Sequence, residues 1–235
     1  MQFSSPLIPA TLIKRYKRFL ADVRLTDGSV ITVHTPNTGS MLGVAEPGST
    51  VWLRDTQNDK RKYRYSWDIS ETDNGVLVGV NTAFSNLIVK EAIEAGLIPA
   101  LQGYSHVCTE VKYGKENSRI DLLLKDTNGK HCYVEVKNVT ALDAQQNAFF
   151  PDAVTQRGAK HLRELMGMVE AGYRAVLFFC VQRRDALKVR PADEIDPEYG
   201  QTLRAAALAG VEIMAWRAGV APERINLEQA LPVIL

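Results

Sequence analysis

Short runs of alternating apolar and polar residues fill the first third of the chain, and the spacing turns helical near Asn81. After Leu20 the run to Leu25 alternates, Thr26-Asp27-Gly28-Ser29 turns it, and Val30 to His34 returns. An Asp-Gly pair between two alternating runs is a hairpin signal. Val51-Trp52-Leu53 reads as another strand. Tyr63 to Ile69 leads through Asp73-Asn74-Gly75 into Val76 to Val80, a second hairpin. No segment here has helical period. About five short strands in so little chain predict a small closed barrel, because closure removes exposed sheet edges.

Beyond Asn81, Phe84, Leu87, Ile88, Ala92 and Ala95 share one helical face, and Gly96 supplies the stop. Strands are expected over Ser105–Lys112, Arg119–Lys125 and His131–Lys137. Pro151-Asp152 is expected to open a longer helix with Val154, Leu162, Leu165, Met166 and Val169 as its stripe. Ala175–Val181 is continuously apolar, as in a strand buried on both faces. A helix over Glu198–Ala209 and a strand over Val211–Trp216 complete the pattern. The expected fold is mixed: a small β-barrel over residues 1–82, then an α/β domain over residues 83–235 with a central sheet of mixed strands. No flexible linker separates them, so the two halves should touch.

Composition narrows the function less than the pattern does. The chain has 235 residues, 46% of them hydrophobic, and a net charge of only +1, so any nucleic-acid contact must come from local clusters. Cys108, Cys132 and Cys180 form no CxxC pair, which disfavours a zinc ribbon or a disulfide framework and fits a reducing compartment. Met1–Pro9 lacks a charged region followed by an apolar core. The longest apolar run falls far short of the ~20 residues that span a bilayer. The expectation is a cytoplasmic protein without membrane contact.

The chemistry-bearing constellation is Asp121 on one strand, a tight turn, and Glu135-Val136-Lys137 on the next. Phosphodiester hydrolysis needs a Lewis acid, an activated water and a cation for the developing charge. Mg²⁺ needs few protein ligands, usually one or two carboxylates with waters and phosphate oxygens. Asp121 and Glu135 supply carboxylates, the Val136 carbonyl is a further oxygen, and Lys137 is the catalytic cation. Two carboxylates about 4 Å apart repel by roughly 4 kcal/mol at an effective dielectric near 20, so the pair calls for a cation. Register sets a condition. A two-residue Asn128-Gly129 loop would pair Asp121 with Val136 and turn it to the wrong side. A three-residue Thr127-Asn128-Gly129 loop pairs Asp121 with Glu135, with Gly129 left-handed in a bulge. A solvated Glu-x-Lys face is the competing reading. Against it, Ile120, Leu122, Leu123 and Leu124 surround Asp121, and charges inside apolar runs need a reason.

Other candidates are less specific. Glu91, with Glu94 as its rival, is a third acidic ligand or a solvated helix face. Gln156 is a candidate catalytic residue. It lies with Arg157, Lys160 and His161 within two turns of the helix after the site, where Gln156 and Lys160 share a face toward metal-bound water, toward a DNA backbone, or simply toward solvent. Lys14, Arg15, Lys17 and Arg18 form a basic cluster before the first strand. Arg54, Lys60, Arg61, Lys62 and Arg64 form another, interleaved with Trp52, Tyr63, Tyr65 and Trp67. Phosphate contact is favoured for the basic residues and burial in a core for the aromatics. The loop Pro36-Asn37-Thr38-Gly39-Ser40 is explained by turn chemistry, and its N–H groups face either a phosphate or the neighbouring domain.

The chain resembles the bacterial sugar fermentation stimulation protein family. The resemblance is carried by Arg15–Val23, His34–Met41, Glu110–Gly114, Ser118–Asp121, Tyr133–Thr140 and Phe150–Gly158. It implies an OB-like barrel, a PD-(D/E)XK nuclease-like second domain, non-specific DNA binding and a link to maltose metabolism. It places that motif's carboxylates and lysine on Asp121, Glu135 and Lys137, although Ile120 stands where the motif has proline. The expected function is a Mg²⁺- or Mn²⁺-dependent nuclease acting on DNA. The alternative is a DNA-binding regulator linked to sugar use that keeps the fold without the chemistry. Self-association is left open.

Overall fold

The computed structural model describes residues 1–235. Six strands come first: β1 (Ile8–Tyr16), β2 (Leu20–Leu25), β3 (Val30–His34), β4 (Thr50–Asp55), β5 (Tyr65–Glu71) and β6 (Leu77–Gly79). They pair in the order β3-β2-β1-β4-β5-β6, and a parallel bridge between His34 of β3 and Ser66 of β5 closes the first five into a barrel. The fold is thus an OB-like barrel followed by a mixed-sheet domain. Inward positions of alternating strands build the barrel core from Ala10, Leu12, Val23, Val33, Val51, Leu53 and Trp67. Trp67 is fully buried and donates to the Ile69 carbonyl and the Ser70 hydroxyl.

The second sheet contains β7 (His106–Tyr113), β8 (Ser118–Lys125), β9 (His131–Val139), β11 (Arg174–Val181), β13 (Glu212–Ala221) and β14 (Arg224–Ala230), in the order β14-β13-β11-β9-β8-β7. Central strands β9, β11 and β13 run parallel, and the outer pairs are antiparallel. Helix α1 (Ala83–Glu94) covers one face; α2 (Gln156–Glu170) and α3 (Pro197–Leu208) cover the other. β11 shows why its sequence is wholly apolar. Val176, Phe178 and Cys180 enter the core under α1, while Leu177, Phe179 and Val181 enter the core under α2 and α3. β10 (Asn147–Phe150) and β12 (Lys188–Pro191) form a small parallel pair beside the sheet.

Several elements depart from the sequence reading. β1 was not anticipated, because Pro9 lies within its apolar run; its N–H is missing where the strand begins. The basic cluster is therefore split, with Lys14 and Arg15 on β1 and Lys17 and Arg18 in the turn after it at φ 50° and 63°. Residues 1–7 join the second domain rather than the barrel: Gln2 bridges Arg224, and Phe3 and Leu7 pack in the α1 core. α2 begins at Gln156, not at Pro151, because the Thr155 hydroxyl caps it by accepting the Gly158 N–H at 3.0 Å. Val154 therefore lies outside the helical stripe and is 74% exposed. β10, β12 and β14 are short or polar and carry little periodicity.

The halves are locked together. The Gly79 N–H donates to the Gln182 carbonyl at the end of β11, and Gln182 also donates to Asn138 and to Ser85 of α1. Thr82 donates through both its N–H and its hydroxyl to the Pro36 carbonyl. Ser40 and Met41 bind Asp152, so the Pro36–Ser40 loop faces the neighbouring domain. No helix is long and apolar enough to cross a membrane.

Candidate metal centre

The β8–β9 hairpin has the three-residue loop. Leu122 pairs with Val134 and Lys125 with His131, a register that sets Asp121 opposite Glu135. The Asp126 N–H donates to the Lys130 carbonyl, leaving Thr127-Asn128-Gly129 as the loop, with Gly129 left-handed at φ 80°. The ladder stops at Leu122–Val134. Beyond it the strands part, and the Asp121 carboxylate takes over one ladder bond by accepting the Val136 N–H at 2.8 Å. Side-chain alternation also breaks here, since Ile120 enters the α2 core while Leu122 and Leu124 enter the α1 core. Facing Asp121 on β7, Glu110 has φ 55°. The backbone irregularity at this point turns Asp121 into the opening between the strands.

Val134 and Val136 pack under α1, so Glu135 and Lys137 fall on the α2 face of β9. Glu135 is 2% exposed. One of its oxygens, Oε1, lies 2.7 Å from the Lys137 ammonium and also contacts Nδ1 of His161. The other, Oε2, is buried and has no hydrogen-bond partner. Burial works against the Glu135 charge, but Lys137 and His161 outweigh it and hold the carboxyl below its ordinary value. Asp121 goes the other way. Burial, with the charge of Glu135 behind it, pushes its carboxyl up to about 6, although the Val136 N–H, Lys137 and Asn86 pull it down. Asn86 of α1 donates to the second Asp121 oxygen at 2.8 Å.

These groups floor a cleft of about 330 Å³ between the domains. Asp121, Glu135, Val136 and Lys137 line it, as do Arg157 and His161 of α2, and Asn37, Thr38 and Gly39 of the barrel form one wall. No three His, Cys, Asp or Glu side chains converge on a common point. A divalent ion here would rest on two carboxylates, a backbone oxygen and water, the sparse set that Mg²⁺ accepts. The orphaned Oε2 of Glu135 fits that role, since a buried carboxylate oxygen without a donor needs a cation or ordered water.

Other candidates lie elsewhere. Glu91 does not reach the cleft; its carboxylate pairs with the Met1 amine at 2.5 Å, and Glu94 pairs with Lys90. α1 presents Ser85 and Asn86 to the cleft, and Glu91, more than a turn further on, points away from it. Gln156 is exposed at the first position of α2 and does not line the cleft, whereas Arg157 and His161, four apart, do. His161 was named in the sequence only as a member of the polar group at the start of this helix and not as a site residue; its side chain reaches the Glu135 carboxylate. Lys160 donates to the Glu116 carbonyl instead of facing the cleft.

Three more of the candidate DNA-binding cations, Arg15, Arg64 and Lys14, have other partners. Arg15 donates to the carbonyls of Arg18, Asn37 and Gly39, which fixes the lip of the cleft. Arg64 makes a bidentate pair with Asp55, which holds its guanidinium above the ordinary range. Lys14 lies 3.5 Å from Asp22. Lys17, Arg18, Arg61 and Lys62 are exposed and form no ion pair. Among the interleaved aromatics, Trp67 is core, while Tyr63 and Tyr65 are half-buried beneath Lys62 and Arg64.

Comparison with known proteins bears on this arrangement. Residues 83–224 match the family model of the sugar fermentation stimulation protein RE domain, and residues 13–80 match that of the SfsA N-terminal OB domain. The chain belongs to the sugar fermentation stimulation protein family. A homolog from Geobacter metallireducens is 54% identical over all of both chains, and one from Thioalkalivibrio sulfidiphilus is 56% identical over 100% of this chain and 98% of its own. The solved structure of Pyrococcus furiosus SfsA in complex with Ca²⁺ is 28% identical and superposes with a TM-score of 0.90, covering 100% of this chain and 98% of that one. Family membership thus extends over both the barrel and the mixed-sheet domain.

Proposed function

We propose that this protein is a divalent-metal-dependent phosphodiesterase acting on DNA. Asp121 and Glu135 are the carboxylate ligands for Mg²⁺ or Mn²⁺, and the Val136 carbonyl is a further oxygen. One observation carries the reading. Glu135 is buried with Oε1 saturated by cationic or N–H partners and Oε2 left without any, beside an Asp121 whose charge is already disfavoured. A bound divalent ion supplies Lewis acidity and lowers the pKa of water toward neutrality. Lys137 keeps Glu135 ionised and stands beside the place where phosphate charge develops. Asn86 and the Val136 N–H orient Asp121. Arg157 lines the cleft as a phosphate contact, and Lys17, Arg18, Arg61 and Lys62 supply unpaired positive charge on the barrel. The Ca²⁺ in the structure of the Pyrococcus furiosus relative supports a divalent site in this family.

The test incubates the full chain with single-stranded, duplex and branched DNA in Mg²⁺ or Mn²⁺, beside Asp121→Ala and Lys137→Ala. Cleavage by wild type and its loss in both variants is the expected result. Salt-sensitive DNA binding without cleavage of any form would leave the protein a regulator on a nuclease fold.

A further inference from the structure

We propose that the cleft takes a single strand of DNA and excludes an intact duplex, with one unpaired base stacked on Phe149. The inference rests on the nuclease reading above and names the form of substrate that this site accepts.

Phe149 lies on β10, the short strand beside the main sheet, and lines the cleft. It is half-buried and belongs to none of the three apolar cores, whereas its neighbour Phe150 packs against Phe179 and Tyr199. The Arg190 guanidinium stands 5.2 Å from the centre of the Phe149 ring, and Asp143 and Glu194 hold that guanidinium in place. Phe149 is therefore an aromatic side chain steadied by a cation and claimed by no core. A base laid on its other face completes a stack of arginine, phenylalanine and base. Any base can do this, because every base has a π face. The rest of the lining agrees. Arg157 is the one exposed cation in it. Phosphate charge alone would give the cleft little affinity, since that affinity grows with the number of phosphates neutralised.

Shape excludes the duplex. A volume of about 330 Å³ is at the small end of ligand pockets, enough for one nucleotide and too little for two paired strands. Asp121 and Glu135 lie on the floor, beside the wall made by Asn37, Thr38 and Gly39. That wall is tied down. Arg15 donates to the Asn37 and Gly39 carbonyls, the Asn37 amide donates to the Val80 carbonyl at 3.0 Å, and Asp152 accepts the Met41 N–H. Widening the cleft for a duplex would break several of these bonds together. A base inside a duplex is stacked and paired, and reaches a pocket of this size only after leaving both arrangements. Past Thr38 and Gly39, a second hollow of about 470 Å³ shares Phe150 and Asp152 with the cleft and includes Arg15 and Arg18. Arg15 opposes the negative charge of Asp152 on this path, and Arg18 is exposed to meet the next phosphates of the strand.

The experiment measures binding of the full chain to a labelled single strand and to a blunt duplex of the same length, by fluorescence anisotropy in Ca²⁺ at one salt concentration. Wild type, Phe149→Leu and Phe149→Trp are compared. Wild type should bind the single strand about tenfold or more tightly than the duplex, which must unpair to enter. Leucine keeps apolar bulk without a π face. Phe149→Leu should weaken single-strand binding by about 5- to 100-fold, the range for one lost stacked base, and leave duplex binding unchanged. Phe149→Trp should restore most of the loss. The proposal is overturned if the duplex binds as tightly as the single strand, or if a folded Phe149→Leu binds the single strand like wild type. Should the leucine variant not fold, 2-aminopurine placed at successive positions of the strand decides with wild type alone: quenching at one position supports the stack, and quenching at none overturns it. The two readings fail separately. Single-strand binding that depends on Phe149, with no cleavage of any DNA in Mn²⁺, would overturn the nuclease and support this site. Cleavage of blunt duplex faster than single strand would support the nuclease and overturn this site.

Discussion

Asp121→Asn should make the metal-free protein more stable at pH 8 while abolishing its response to metal. The Asp121 carboxyl is pushed from an ordinary value of 3.8 up to about 6 by burial and by Glu135. A carboxyl raised in the folded state binds more protons there than in the unfolded chain between those two values. Stability of the metal-free protein therefore falls as pH rises through that window and is lowest above it. The shift of about two units corresponds to roughly 3 kcal/mol at neutral pH and above. Asparagine cannot ionise and escapes that loss. It presents one acceptor where Asp121 uses two, for Asn86 and for the Val136 N–H, so about 1–2 kcal/mol is lost through one mismatched hydrogen bond. The net gain is about 1–2 kcal/mol at pH 8 in EDTA, or about 2–4 °C per kcal/mol in melting temperature for a chain of this size. At pH 4.5, where the aspartate is protonated, the order should reverse. Thermal melts of both proteins at the two pH values, with EDTA and then with millimolar Mn²⁺, measure this. A difference that does not change between pH 4.5 and 8, or an Mn²⁺ shift equal in both proteins, would refute the reasoning.

Further outcomes follow from the same contacts. Replacing Lys17, Arg18, Arg61 and Lys62 by alanine should flatten the salt dependence of DNA binding by up to about one unit of log–log slope per lost phosphate contact, read from a filter-binding series. Arg64→Ala, whose charge is held by Asp55, should change that slope less than Arg61→Ala does. Gly39→Ala would bring a Cβ to 2.7 Å from Asp152 Oδ2 and should shift the barrel loop at the cleft. A loss of about 1–3 kcal/mol in denaturant midpoint analysis is expected, by the usual cost of overpacking. Trp67→Ala should cost about 3–5 kcal/mol through its cavity and two lost hydrogen bonds, measured by urea unfolding followed by far-UV circular dichroism.

Most of the fold was legible wherever local pattern and tertiary need agreed. The Asp27-Gly28 and Asn74-Gly75 turns and the unbroken apolar β11 state their environment in their own residues, whereas the α1 stripe was legible only in part: Ile88 and Ala92 are buried as expected, but Leu87 and Ala95 are exposed and Val89 and Ile93 are buried instead. The register at Asp121 was legible as well, because one residue in the loop decides which face a whole strand presents. What was missed depended on partners distant in sequence. β1 needed β4 to give its Pro9 run a neighbour, and residues 1–7 needed β14. Glu91 and Gln156 sat at suitable spacing but on the wrong side of their helices, and helical phase relative to a sheet is set by packing that one sequence does not display. Arg15 shows the same limit. Its charge is plain in the sequence, but its use on the Asn37 and Gly39 carbonyls of a loop more than twenty residues away is not.

The charged group beneath the cleft argues against a purely structural origin. A buried ion pair seldom stabilises a fold, because desolvation of both charges offsets their attraction, and a well-packed apolar set of similar volume does as well or better. Here the arrangement is worse than a simple pair. One carboxylate is kept ionised while a second, beside it, is pushed toward neutrality, and one buried oxygen has no donor. The neutralised Asp121 and the unpartnered oxygen each raise the free energy of the metal-free chain, and each is relieved by a cation of higher charge between the two carboxylates. A triple substitution therefore separates the alternatives. Asp121→Asn with Glu135→Gln and Lys137→Met, which leaves no buried ammonium without its carboxylate, should leave the metal-free protein as stable as wild type or more so at pH 8, and should remove metal binding. If the triple variant instead unfolds, the charged group is holding the sheet together, and the case for a metal-ready pair fails.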